Sequence, residues 1–285
     1  MPYKHAGEIG DVWKHLPLCE VLEIERPVRY FETNSAYAGY HISRLPRIAY
    51  GVLAQLSKEK SKGRRQSHYI KTEIKNGLET LYYTGSPGLA MEILQDRASY
   101  YFYDQEAEAL EDIRQYAAQR GLKEKVCTVC TDSIQAFLGE TISTRPGDFV
   151  LIDPYNPFDT NQFGNSFFDV WERVSDSGAG VLLWYGYNKG QEREQIHSKL
   201  SSLAKHGCYC IDCFDVWQRD MTDGDCPRNP GVPGCGLAAG NLSDRSLEKM
   251  RRALCRLEAD YRDAVYQGEK APLQVAEKRY GQNFR

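Results

Sequence analysis

Nowhere in the 285 residues do apolar side chains run long enough to cross a bilayer, and residues 1–11 lack the cationic flank and apolar stretch of a secretory leader. A soluble, cytoplasmic protein is the expectation. Charge bias is missing too: 36 Lys and Arg stand against 39 Asp and Glu, so any polyanion must meet a local basic patch rather than a global field. No period of about 20 to 50 residues repeats, which removes solenoids and propellers. With 41% hydrophobic residues the chain is not a disordered tail; its length suits one large domain, or one domain with a small insertion.

Nine cysteines are an odd number, and without a leader a disulfide framework is not expected. Cys127 and Cys130 form a Cys-x-x-Cys, Cys208, Cys210 and Cys213 sit close together, and Cys226 and Cys235 flank a Pro/Gly-rich loop. The first two groups fall in strand-patterned segments, where alternate side chains face opposite ways and cannot converge on a tetrahedral metal. Buried thiols and no metal are the expectation.

Strand-like apolar runs recur at residues 28–32, 100–103, 126–130, 149–153, 180–185, 209–216 and, last, near 237–242. Between several of them lie amphipathic stretches such as 105–120 and 191–206, with apolar residues spaced by three and four. Alternation of this kind predicts an α/β fold with a mostly parallel sheet and helices on both faces, because each parallel crossover needs a helix. Two segments break the pattern. Residues 41–80 read as a small helical insertion with nine Lys or Arg against three Asp or Glu, concentrated at Lys58, Lys60, Lys62, Arg64 and Arg65. That run is a solvated loop or a phosphate-contacting patch. Residues 244–285 read as a C-terminal extension, a mixed-charge helix to about residue 264 and then a polar end.

In open α/β sheets ligands bind beyond the carboxyl ends of the strands, so the residues after each run carry the chemistry. The first run ends Phe31-Glu32-Thr33-Asn34-Ser35-Ala36-Tyr37-Ala38-Gly39, small and polar residues that would let backbone approach a ligand, although no phosphate-binding glycine fingerprint is present. Asn34, Ser35 and Gly39 are taken from it as cofactor contacts. The next three runs end at Asp104, Asp132 and Asp153. Asp104 is suited to vicinal ribose hydroxyls and Asp132 to an exocyclic adenine amine, since an ionised carboxylate only accepts; each alone would equally serve as a helix N-cap. The fourth run continues Asp153-Pro154-Tyr155-Asn156-Pro157-Phe158. Its prolines impose a rigid extended turn that fixes the Asp153 carboxylate and exposes the Pro154 carbonyl, two acceptors able to hold a planar amine. Tyr155 and Phe158 are placed to stack on a base.

These residues resemble the class I methyltransferases that use S-adenosylmethionine, and among them the bacterial large-subunit ribosomal RNA adenine-N6 methyltransferases. The resemblance is carried by His5-Ala6-Gly7 through Asp11-Val12 to Lys14-His15, by Tyr82-Tyr83-Thr84-Gly85-Ser86-Pro87-Gly88, and by Leu182-Leu183-Trp184-Tyr185, in order from residue 5 to about 242. It implies a Rossmann-like seven-stranded sheet, with residues 1–40 and 81–243 as the core. It places Lys14, Asn34, Ser86, Asp104 and Asp132 at the cofactor and Asp153 with Pro154 at the amine. Lys14 would pair with the cofactor's methionine carboxylate; His5 and His15 read as structural. The family's Asp-Pro-Pro-Tyr is here Asp153-Pro154-Tyr155-Asn156, which displaces the stacking aromatic and brings Asn156 into the motif, and Tyr37 stands where the family's loop is richer in glycine.

The function implied is methyl transfer from S-adenosylmethionine to an amine, foremost adenine-N6 in ribosomal RNA bound through the basic patch. The alternatives are a DNA, protein or small-molecule acceptor, or a cofactor-binding relative without turnover.

Overall fold

A computed structural model of the chain describes residues 6–41, 51–52, 54, 67–76, 82–139, 142–215, 234–266, 269–270 and 272–281. The chain enters through helix α1 (Ile9–Glu25), whose residues from Trp13 to Leu22 are all buried. Enclosed on every side over that stretch, Lys14, His15 and Glu20 included, the helix has no amphipathic period to betray it. It survives an internal Pro17 and ends at Arg26 in the left-handed region, φ 45°, whose N–H donates to the Leu22 carbonyl.

Strand β1 (Arg29–Thr33) follows, then a short strand β2 (Gly39–His41). Helix α2 (His68–Asn76) leads to β3 (Tyr82–Thr84), which pairs antiparallel with β2, and to α3 (Ser86–Leu94). The α/β alternation then runs β4 (Ser99–Asp104), α4 (Ala107–Gln119), β5 (Val126–Cys130), α5 (Ser133–Leu138), β6 (Asp148–Ile152), α6 (Phe167–Asp176), β7 (Gly180–Tyr187), α7 (Gly190–Leu203), β8 (Cys208–Asp215) and β9 (Gly234–Gly240). Helix α8 (Asp244–Asp260), a two-residue pair β10 (Val265–Tyr266) and β11 (Glu269–Lys270), and strand β12 (Leu273–Tyr280) complete it.

The main sheet has eight strands in the order β12-β8-β9-β7-β6-β1-β4-β5. Strands β7, β6, β1, β4 and β5 are mutually parallel, while β9 runs antiparallel to both β7 and β8. Without β12 this is the strand order and polarity of the Rossmann-like class I methyltransferase fold. The eighth strand comes from the tail, where a polar end was expected. Its residues 273–280 alternate too weakly in hydropathy to announce a strand, and pairing along the whole of β8 makes them one.

Side chains alternate across the sheet. Tyr30, Phe149, Leu151 and Leu182 join a core with α1, α3, α4 and α8, while Phe31, Val150, Ile152 and Leu183 join a second core with α5, α6 and α7. Rings of adjacent strands stack along both faces, Tyr30 on Phe149 at 6.0 Å and Phe31 on Tyr101 at 4.7 Å between centroids. The basic run 58–65 and the greater part of residues 41–80 lie outside the described residues. No described helix is long and apolar enough to cross a membrane.

The cysteine expectation divides. Cys208, Cys210, Cys213 and Cys235 are buried, but Cys127 and Cys130 are exposed, because β5 is the edge of the sheet. Cys226 lies outside the described residues.

Candidate functional site

Register brings the strand ends level. Thr33 of β1 stands beside Ile152 of β6 on one side and Tyr103 of β4 on the other, and Asp104 stands beside Cys130 of β5. The residues that follow, Asp153, Asn34, Asp104 and Asp132, therefore occur in a row along one edge of four adjacent strands. Three strand spacings span about 14 Å. Successive connections leave β1 toward β4 and β5 on one side and toward β6 and β7 on the other, so the switch of strand order falls between β1 and β6, where Asn34 and Asp153 lie.

Asp153 is held through both backbone and side chain. Its N–H donates to Thr33 Oγ1 at 3.1 Å, and its Oδ2 accepts from Lys14 Nζ at 2.6 Å. Both side chains are nearly enclosed, 13% and 10% exposed. Burial pushes the Asp153 carboxyl up from the usual carboxylate range, and Lys14 offsets only part of that rise. Burial also works against the Lys14 ammonium, but Asp153 and Asp11, the latter 3.5 Å away, outweigh it and hold the cation charged. Lys14 lies over the ring of Trp184, 5.7 Å from its centroid. The other carboxylate oxygen, Oδ1, accepts no hydrogen bond from the described residues.

The expectation that Lys14 serves a cofactor carboxylate meets a different arrangement, since its ammonium is engaged with Asp153. Sequence spacing hides this pairing because 139 residues separate the two. Beneath them lies Glu32, fully buried in β1, with Tyr30 Oη donating to Oε2 at 2.8 Å and Ser86 Oγ donating to Oε1. Burial lifts the Glu32 carboxyl to about 8, against the opposing bonds from Ser86 and Tyr30, so it is protonated at neutral pH. Ser86 thus spends its hydroxyl on Glu32. Its helix is seated so closely that a β-carbon at Gly85 would lie 2.2 Å from the Tyr37 carbonyl. Glu32 went unassigned at the sequence level; a carboxylate in an apolar strand was its only signal.

The loop after β1 turns through two non-glycine left-handed residues, Asn34 at φ 52° and Ala36 at φ 53°. Asp104 holds it: Oδ2 accepts from the Ala36 N–H at 2.9 Å and Oδ1 from the Glu106 N–H at 2.8 Å. Ser35 is turned inward, donating to the Glu32 and Tyr103 carbonyls. Tyr37 is directed sideways, its hydroxyl donating to Glu106 at 3.2 Å. Gly39 pairs with Thr84 in the β2–β3 ladder. Asp132 caps α5, accepting from the Gln135 N–H at 3.1 Å. Next to it, Ser133 Oγ accepts from the Asn34 N–H at 3.4 Å, tying the ends of β1 and β5. Asn34 Oδ1 is buried without a partner among the described residues, an acceptor on the row of strand ends.

Beyond Asp153, Pro154 is buried while Tyr155 is 90% exposed. Asn156 shapes the turn, Oδ1 accepting from the Phe158 N–H and Nδ2 donating to Asp159. Phe158 leans on Phe168 at 5.0 Å and keeps 40% of its surface exposed. A third exposed ring, Phe163, sits on a turn tied by Asn161 Oδ1 to the N–H groups of Phe163 and Asn165. The run Asn161 to Asn165 reads as an ordinary polar turn, which gives Phe163 no signal in the sequence. His15 is buried, stacked on Tyr83 and bonded to its hydroxyl at 2.5 Å.

No family model matches the chain, and no curated protein matches it. Among solved structures it is similar to protein LPL1258 from Legionella pneumophila strain Philadelphia 1, of the DUF519 family, with a TM-score of 0.72 and 19% identity over 98% of this chain and 99% of that one. It is far less similar to the O-methyltransferase TomG from Streptomyces achromogenes in complex with S-adenosylmethionine, at a TM-score of 0.39 and 13% identity over 80% and 78%. A putative rRNA methylase from Clostridium thermocellum gives 0.36 and 9% over 54% and 83%. The likeness to the Legionella protein, over nearly the whole of both chains, is one of fold.

Proposed function

We propose that the chain is a methyltransferase that uses S-adenosylmethionine and methylates an amine, the exocyclic amine of adenine in RNA. The observation that carries this is Asp153: a carboxylate at the strand-order switch, with one oxygen held by Lys14 and the other accepting nothing from the described residues. Asn34 Oδ1, orphaned and buried on the same edge, fits a ligand that brings hydrogen-bond donors, as the ammonium and ribose hydroxyls of this cofactor do. Asn34, Asp104, Asp132 and the backbone of Ser35 would hold it along the strand ends. When bound, S-adenosylmethionine supplies a sulfonium methyl whose C–S bond breaks as the acceptor nitrogen's lone pair forms the new C–N bond.

The chain's own residues do the positioning. Lys14 occupies Oδ2, which leaves Oδ1 of Asp153 and the Pro154 carbonyl to accept the two amine hydrogens in plane and turn the lone pair toward the methyl group. Orientation of this kind supplies much of the barrier reduction. The proton released from nitrogen passes to Asp153, whose basicity burial has already raised. A base drawn out of its stack meets Tyr155, Phe158 and Phe163, three exposed rings on the loop that follows Asp153. This aromatic loop is what favours a base over a small aliphatic amine.

Asp153→Ala should lower methyl transfer to adenine-containing RNA by at least about a hundredfold, the scale of a missing proton acceptor, while S-adenosylhomocysteine affinity by calorimetry stays within a few-fold. Transfer that persists in this variant would remove Asp153 from the reaction.

A further inference from the structure

A cleft of about 540 Å³ opens along α1 from Leu16 to Arg26, between that helix, the start of α2, the end of α3 and the face of α8. Its floor is apolar, with Leu16, Ile70, Leu94 and Leu257 among the residues that line it. Its walls are cationic: Arg26, Lys71, Arg97, Arg245, Lys249 and Arg256 all line it and all are exposed. The acids present, Glu20 and Glu23, are engaged by Lys249 at 2.9 Å and by His68. The other five cations have no carboxylate partner among the described residues; Arg26, Arg97 and Arg256 donate only to backbone carbonyls.

Six cations against two carboxylates around one concavity, in a chain of net charge −3, make a local positive field that the composition conceals. Low-dielectric walls focus it on the cleft. Arg245 and Arg256 lie eleven residues apart on α8, about 16 Å along its axis, which is longer than one phosphate group. The cations of α1, α2 and the turn after α3 face them across the opening.

We propose that this cleft is a second binding site, one that takes several consecutive phosphates of a nucleic-acid backbone. The identity of that polymer as RNA rests on the methyltransferase reading above; the charge arrangement does not. Lys14 and Arg26 are twelve residues apart, so the far wall of the cleft lies about 18 Å from Lys14 along α1, while Leu16 brings its floor within a turn of it. A backbone anchored there would fix the substrate's register at a distance from the unstacked base and carry no sequence information of its own.

The test is fluorescence anisotropy with a labelled single-stranded RNA across a salt series, comparing the full chain with its quadruple variant Lys71→Gln, Arg97→Gln, Arg245→Gln and Arg256→Gln. None of the four makes an ion pair whose removal would unfold the protein. Each phosphate deprived of its cation should lower the slope of log affinity against log salt by about 0.7, hence by roughly 3 for the set, with S-adenosylhomocysteine affinity unchanged. A milder pair, Arg245→Gln with Arg256→Gln, should give about half that decrease and serves if the quadruple variant folds poorly. Equal RNA affinity and slope in wild type and variant overturns the proposal and leaves the Asp153 reading standing. Competition by inorganic phosphate alone, with RNA indifferent to the substitutions, overturns it in favour of a small-anion site. A wild-type chain that binds no RNA overturns it as well, and S-adenosylhomocysteine binding then reports separately on the nucleoside site.

Discussion

Lys14 and Asp153 each make the other tenable. An ammonium and a carboxylate this enclosed would each lose its charge if left alone, and together they stay ionised. In Lys14→Met the Asp153 carboxyl loses its cation while keeping its burial. The acid limb of the methyl-transfer pH profile, which reports the carboxylate form, should then move upward by about 1 to 3 pH units. An unchanged limb would mean that Lys14 does not tune this carboxylate. Glu32 shows what neighbouring residues hide. Its carboxyl is raised to about 8, so its contribution to stability is complete below the ordinary 4.5 and is lost as pH climbs through 8. Asp104, Asp132 and Asp153 were legible because a carboxylate closing an apolar run announces a strand end. The Lys14–Asp153 pair was not, since nothing local to either residue points to the other.

At the level of elements, the same contrast recurs where α7, β7, β8 and β12 meet. Asp212 of β8 is fully buried and takes Tyr185 Oη at 2.6 Å on one oxygen, and Arg193 and His197 Nε2 at 2.6 and 2.8 Å on the other. His197 passes the chain on through Nδ1 to Tyr280 Oη at 2.7 Å. Gly236 makes room: a β-carbon there would come within 2.4 Å of both Asp212 Oδ1 and the Tyr185 ring. Burial alone would lower the His197 pKa, but the bond to Asp212, with Cys210 beside it, pushes it up to about 9. Because the folded value is raised, this stabilisation is complete below pH 6.5 and disappears as pH rises through about 9. Urea midpoints of the wild type should fall across that window, and those of His197→Gln should fall less. Equal slopes would sink the coupling. Asp212→Ala, which removes the carboxylate that Arg193 and the imidazolium share, should cost about 3 to 5 kcal/mol at neutral pH. The amphipathic stretches that became α4 and α7 are legible from spacing; α1, buried from Val12 to Leu22, is not, because burial on all sides erases the period.

For the molecule as a whole, the tail closes what the rest of the chain leaves open. Strand β12 covers the edge of β8 over eight residue pairs, Tyr209 Oη donates to Glu277 at 3.0 Å, and Tyr280 completes the His197 chain. Removing residues 272–285 should expose that edge, lower the thermal midpoint by roughly 5 to 10 °C and raise light scattering on heating. A truncated chain as stable and as monodisperse as the full one would show the strand to be dispensable. Helix α8 packs against β12, where Glu258 accepts from the Val275 N–H at 3.0 Å, and along α1, and lines the cationic cleft with Arg245, Lys249 and Arg256, although along the sequence these are ordinary members of a mixed-charge helix. Local order was written in the sequence: strand and helix periods, the turn imposed by Pro154, and the acidic strand ends each depend on neighbours a few residues away. Tertiary structure alone decided which ends share an edge, which carboxyls stay protonated, where cations converge and what covers the last strand. Those outcomes depend on distance through space and on exclusion of water, and neither quantity is encoded in the spacing of residues along a chain.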